Sequence, residues 1–127
     1  MHFDPTETDL ATMPLLTGPW DVSPEHDLAA RPVGSRVLVL NLSDLYHLAA
    51  LGPGFKWTTG DSGRRRVPAV AHRDHGRLMV ARLIAGAHAG QEVAYRDGDP
   101  FNATRRNLVV REVLRRHRRG SLVPVLG

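Results

Sequence analysis

Cysteine is absent from the chain. Neither a disulfide frame nor a thiolate zinc site is therefore available, and any metal would have to be held by His, Asp, Glu or Asn. Lysine is almost missing as well: of 17 basic residues, Lys56 alone is not arginine. Aromatics are few, with two Trp, two Tyr and three Phe, which weighs against base stacking along a single strand as a mode of nucleic-acid binding. No apolar run approaches the roughly 20 residues of a membrane span. The opening residues are acidic rather than basic and then apolar, so the expectation is a soluble, cytoplasmic chain with no membrane partner. A length of 127 residues with 42% hydrophobic content is enough for one modest core.

The first 30 residues also lack Arg and Lys, while holding Asp4, Glu7, Asp9, Asp21, Glu25 and Asp27. The formal charge of +4 thus conceals an acidic stretch of −6 followed by a body with 17 basic and seven acidic residues, a net +10. A basic body attracts polyanions, and the arginine fork matches phosphate and the guanine edge. GC-rich coding accounts for arginine over lysine but not for the charge excess.

Residues 1–35 contain Pro5, Pro14, Pro19, Pro24 and Pro32, no sustained periodicity, and scattered apolar residues such as Leu15, Leu16 and Trp20. They read as an extended acidic arm, either lying against the basic body in competition with nucleic acid or simply solvated. The body is expected over 36–111. Val37–Leu40 is a β-type run, and Ser43 is placed to cap a short helix reaching Leu51 and ending at Gly52-Pro53-Gly54. Phe55–Thr59 is expected as a strand, with a turn at Gly60-Asp61-Ser62-Gly63. Alternation from Arg64 to His72 puts Val67, Ala69 and Ala71 on one face, and Pro68 argues for a sheet edge. Arg73-Asp74-His75-Gly76 reads as a hairpin turn into a strand at Arg77–Val80, with a short helix around Ala81–Ala85 behind it. Beyond residue 111, the helical spacing of Val110, Val113, Leu114 and His117 against Arg111, Arg115, Arg118 and Arg119 predicts a C-terminal basic helix, followed by an apolar tail.

The stretch Arg82-Leu-Ile-Ala-Gly-Ala, a gap, and Val93-Ala-Tyr-Arg-Asp-Gly-Asp-Pro-Phe-Asn-Ala-Thr-Arg-Arg-Asn-Leu-Val-Val110 resembles HNH endonucleases of the phage and homing type (the His-Me finger family). The resemblance covers about residues 37–111 and is strong only in the last 30. It implies an α+β fold, a small mixed domain of short antiparallel strands with a ββα unit at 77–110. In that family a His takes a proton from water, an Asp and a final His or Asn bind a divalent ion, and a middle Asn orients the base. Carried across, the base position is Tyr95, the first ligand Ala94, the middle Asn Ala103 and the last ligand Asn107, while Ala81 replaces the upstream His. A phenol of ordinary pKa about 10 is a poor acceptor at neutral pH, and loss of a general base alone removes about 10²- to 10⁴-fold in rate. Alanine cannot bind a metal. The resemblance thus implies a degenerate member with no catalytic residues, no metal and no cofactor.

Read without the resemblance, Asp97-Gly98-Asp99-Pro100 is turn chemistry, and Asn102 is placed to cap a helix holding Arg105, Arg106 and Asn107. Asn107 suits a helix-end or loop hydrogen bond, and Tyr95 a packed strand position. His72, His75, His88 and His117 show no recognised ligand spacing. Three arginine groups are candidates for nucleic acid: Arg64, Arg65 and Arg66; Arg105 and Arg106; and Arg111, Arg115, Arg116, Arg118 and Arg119. The leading expectation is a regulatory or accessory protein that binds double-stranded DNA through these groups. The alternatives are a metal-dependent HNH-type endonuclease with displaced ligands among Asp97, Asp99, His88 and Asn107, and an assembly module with an oligomer or protein partner engaged through the N-terminal arm or C-terminal tail.

Overall fold

The computed structural model describes residues 14–62, 65–116 and 122–124. The fold is a small mixed α+β domain of antiparallel sheets with two α-helices among the described residues. The first sheet is a meander of β1 (Asp21–Ser23), β2 (Leu28–Val33) and β3 (Arg36–Asn41), followed directly by helix α1 (Leu42–Ala49). A second meander joins β4 (Lys56–Ser62), β5 (Arg65–His72) and β6 (Gly76–Met79) and leads into helix α2 (Val80–Ala85). A third unit is the hairpin of β7 (Gln91–Tyr95) and β8 (Leu108–Glu112), and β9 (Leu114–Arg116) pairs with β10 (Leu122–Pro124).

The part of the expected acidic arm from residue 14 to 35 is not an arm. Leu15, Leu16, Trp20, Val22, Ala29 and Val33 are all buried, and they form one cluster with Leu38, Leu40, Leu45, Phe55, Val70 and Val80. The sequence concealed this because a 3₁₀ turn at Pro14–Leu16 and short strands present apolar residues with no fixed period. Trp20 meets Trp57 edge to face at a centroid separation of 5.5 Å, and the Trp57 indole N–H donates to the Leu15 carbonyl at 2.9 Å. Arg31 lies over both indoles, and its guanidinium donates to the Thr17 carbonyl at 2.8 Å. Burial pulls its pKa below the usual arginine range. Gly18 makes this possible: its φ is +109°, and a Cβ there would sit 2.9 Å from the Arg31 Nη1.

Helix α1 is shorter than expected, and Ser43 is not its cap. Asp27, in the turn between β1 and β2 at φ 52°, accepts the Ser43 N–H at 2.9 Å and the Ser43 hydroxyl at 2.8 Å, while its own carbonyl accepts the Leu42 N–H at 3.0 Å. A carboxylate supplied from another element thus satisfies the orphan donors at the helix start and opposes the helix dipole.

In the second meander the expected turn at 60–63 falls later, since β4 continues through Gly60 to Ser62. A Cβ on Gly60 would lie 3.2 Å from the Met79 methyl carbon, so the strand passes close beneath a side chain of β6. Strand β5 is central rather than an edge, but its pairing with β6 begins at Ala69, so Pro68 faces a partner only in β4. Val67, Pro68, Ala69 and Val70 are all buried, so both faces of β5 are covered at this point. Helix α2 forms as expected, closing on Gly86 at φ 68°, and packs against β5, β6, β7 and β8.

The predicted C-terminal basic helix is also overturned within the described residues. Positions 109–112 lie in β8 and 114–116 in β9, whereas 117–119 are outside the described residues. The β-branched residues Val109 and Val110 pair with Ala94 and Val93, so non-local pairing overrides the local helical spacing. Replacing Asp27 with Ala should cost about 1 to 2 kcal/mol of unfolding free energy through loss of the helix cap. Asp27→Asn, which keeps an acceptor and tolerates left-handed backbone, should lose less. Urea denaturation midpoints check this, and an unchanged midpoint for Asp27→Ala would remove the cap from the account.

Candidate nucleic-acid interface

The long connection of the β7–β8 hairpin, residues 96–107, is the segment in which the sequence concentrates Asp, Asn and Arg. Its backbone is docked on the first sheet. The Val39 N–H donates to the Phe101 carbonyl and the Ala103 N–H to the Val39 carbonyl, both at 2.8 Å, so residues 101–103 form a parallel bridge to β3. Phe101 and Ala103 are buried there. The expected helix over 105–107 is a single 3₁₀ turn, and Asn102 does not cap it: the Arg105 N–H is accepted by the Asn41 side-chain oxygen at 2.8 Å.

Asp97 and Asn107 organise the loop. The Asn107 amide donates to Asp97 Oδ1 at 2.9 Å and to the Asn102 carbonyl at 2.7 Å, while its oxygen accepts the Asp97 N–H at 3.0 Å. Asp97 also accepts the Asn102 amide at 2.8 Å and the Asp99 N–H at 2.8 Å. The Asn102 amide first, then the Asp99 N–H and the Asn107 amide, hold the Asp97 carboxyl below its ordinary pKa. Turn formation is therefore the observed role of Asp97, and a loop hydrogen bond that of Asn107.

The other positions named by the resemblance to HNH endonucleases lie on neighbouring elements. Ala81 is buried on α2, and Ala94 and Tyr95 sit on β7 opposite Val109 and Leu108. Tyr95 is half-buried. Its burial raises the phenol pKa, with Arg65 opposing more weakly, so the ring carries its proton at neutral pH. At the tip of the β5–β6 hairpin His72 packs at a tilt against Phe55 and His75 lies parallel to it, and the His88 carbonyl accepts Arg82 at 3.0 Å. Among the described residues no group of three or more His, Asp or Glu is placed to hold a metal ion.

The candidate arginines divide sharply. Arg105 is committed to structure: its Nε donates to both oxygens of Asp44 at 2.9 Å and its Nη2 to Oδ1 at 2.6 Å. The Asp44 carboxylate is 3% exposed, and its hydrogen bonds, then its charge, raise the Arg105 pKa. Arg111 pairs across the hairpin with Glu92 at 2.9 Å. Arg65 donates to the Gly98 carbonyl and Arg66 to the Thr59 hydroxyl, and both line an open cleft with Arg36, Asp97, Gly98, Asp99 and Pro100. Arg106 keeps a guanidinium with no hydrogen bond or ion pair to any described residue. Of Arg115 and Arg116 only the strand backbone is described, while Arg64, Arg118, Arg119 and His117 lie outside the described residues.

Two cations at this surface were not anticipated from sequence. Arg36 bonds Asp99 at 2.7 Å and lies 4.5 Å over the Phe101 ring, and the Arg96 Nε donates to the Arg106 carbonyl at 2.9 Å. Both are isolated arginines in the chain, and only the docking of the loop brings them beside the clusters. No helix among the described residues is long and apolar enough to cross a membrane. No family model, curated protein or solved structure matches the chain.

Two outcomes follow from this geometry. Arg105→Ala should lower the melting temperature more than Asp44→Ala, because it strands a buried carboxylate whereas the reverse change frees an arginine that is already largely in solvent. Equal losses in thermal melts would contradict that asymmetry. The lowered Asp97 pKa makes its contribution fully present above the ordinary carboxylate range and lost as pH falls through the folded value. Amide exchange at Asp99 should therefore accelerate in acid beyond the intrinsic pH dependence, and Asp97→Asn should abolish that excess.

Proposed function

We propose that this protein binds duplex DNA by occupancy, as a regulatory or accessory factor, on a scaffold related to HNH endonucleases whose cutting residues have been replaced. The observation that carries the reading is the gathering of arginines along one loop: Arg36, Arg65 and Arg66 line the cleft at residues 97–100, Arg106 lines the cavity at 102–106, and Arg96 is bonded to the Arg106 carbonyl. Exposed ion pairs such as Arg36–Asp99 gain little from their partners and can exchange them for phosphate at small cost.

Occupancy is favoured over cutting by the way the polar groups are used. The Asp97 oxygens and the Asn107 amide are engaged within the loop, and Tyr95 holds its proton. Duplex is favoured over single strand because Trp20 is fully buried and Trp57 is packed against it, which leaves neither indole free as a stacking platform.

A gel-shift series with and without chelator tests the reading. Four phosphate contacts would give a salt slope of about −3.6, a loss on the order of 10²-fold in affinity between 50 and 200 mM salt, with no effect of chelator. The double variant Arg65→Gln, Arg66→Gln should flatten the slope by about 1.8. Absence of binding at moderate salt rejects the DNA reading. Cleavage of plasmid in Mg²⁺, Mn²⁺ or Zn²⁺ that is lost in Asn107→Ala rejects occupancy in favour of the nuclease.

A further inference from the structure

Sharing no lining residue with the Arg65 and Arg66 cleft is a cavity of about 400 Å³ lined by His26, Leu28, Val39, Asn41, Asn102, Thr104 and Arg106. That volume falls within the range of small-ligand sites. Its walls are of two kinds. Leu28 and Val39, from β2 and β3, supply a half-buried apolar strip. Asn41, Asn102 and Thr104 supply a polar strip whose side chains are already fixed: Asn41 between the Asp27 carbonyl and the Arg105 N–H, Asn102 between Asp97 and the Thr104 hydroxyl.

Two donors remain available. The Arg106 guanidinium has no partner among the described residues, and the His26 Nδ1 is joined to the Ser23 hydroxyl at 2.8 Å. With that hydroxyl donating, Nε2 carries the ring proton and is a second donor. Charge separates this cavity from its neighbours. The cleft of Arg36, Arg65 and Arg66 also holds the carboxylates of Asp97 and Asp99, and Arg105 elsewhere answers Asp44. Here no carboxylate is among the lining residues; of the acids that adjoin or bond them, Asp27 is engaged by Ser43 and Asp97 by Asn102, and Glu25 precedes His26 in the chain.

We infer that this cavity takes a phosphate ester of one nucleotide unit, the phosphate at Arg106 and His26 and the sugar or base against Leu28 and Val39. The inference rests on the DNA-binding reading when the ester belongs to a duplex backbone. A free mononucleotide presents the same chemistry, and the two sources separate experimentally.

The test uses the full chain. Fluorescence anisotropy with a labelled duplex gives the salt slope, and titration with adenosine monophosphate, with inorganic phosphate in parallel, follows the His26 ring signals by NMR. Arg106→Gln should flatten the duplex slope by about 0.9, the loss of one phosphate contact, while Arg106→Lys retains it. Arg73→Gln at the β5–β6 tip, 3.9 Å from Asp74, should leave the slope unchanged. Shifts of the His26 signals by adenosine monophosphate that vanish in Arg106→Gln, with the duplex slope unaffected, assign the cavity to the free nucleotide. Duplex binding that persists with an unchanged slope in Arg106→Gln, and no response to either small probe, overturns this inference and leaves the DNA reading standing. Loss of all duplex binding in the parent chain, with a retained nucleotide response, does the reverse. Matching melting temperatures for parent and variants establish that each change acts on binding.

Discussion

The hairpin loop is held in place from outside itself. Its residues 101–103 borrow the edge of β3 through two backbone hydrogen bonds at Val39, its 3₁₀ turn is started by the Asn41 side chain, and Arg105 reaches α1 to neutralise the buried Asp44. These contacts join the first sheet and its helix to the β7–β8 hairpin, across more than 60 residues of chain. A twelve-residue connection with a single turn of 3₁₀ helix has little intrinsic order, and fixing it has an entropic cost that local turns alone do not offset. Docking on β3 supplies the balance, and it is what gives the surrounding arginines defined positions.

That docking also sorts the cations by role. Arg105 and Arg106 are neighbours in sequence, yet the first is pinned to a carboxylate while the second faces a polar cavity with no partner among the described residues. Arg31 is folded over two indoles and helps to close the core, and Arg82 clamps the turn before β7 by donating to the carbonyls of His88 and Gln91. Counting arginines therefore overstates the binding charge. What matters is which guanidinium groups remain after the fold has used the rest; among the described residues Arg106, at the 96–107 loop, is one of them.

The acidic residues obey the same economy. Asp27 caps α1, Asp44 serves Arg105, and Asp97 ties Asn102 and Asn107 into the loop. The two carboxylates that the sequence offers as displaced metal ligands, Asp97 and Asp99, are both engaged inside the molecule. A loop held in this way is suited to presenting a fixed surface to phosphate, since preorganised donors lose less freedom on binding.

Local pattern determined a good deal of this protein. The β-run at Val37–Leu40, the short helix after it, the hairpin turn ending at Gly76, the helix near Ala81–Ala85 and the turn character of Asp97-Gly98-Asp99-Pro100 are all legible, because each depends on residues close together in the chain. Tertiary structure decided the rest. The stretch 14–35 entered the core because Trp20 and Arg31 find Trp57 on a distant strand, and 109–112 became strand because β7 offers a pairing edge that outweighs a helical spacing of arginines. Long-range partners carry no local periodicity, so a cap donated by Asp27, an arginine spent on Asp44 and an arginine left over at 106 emerge only when the chain has closed on itself.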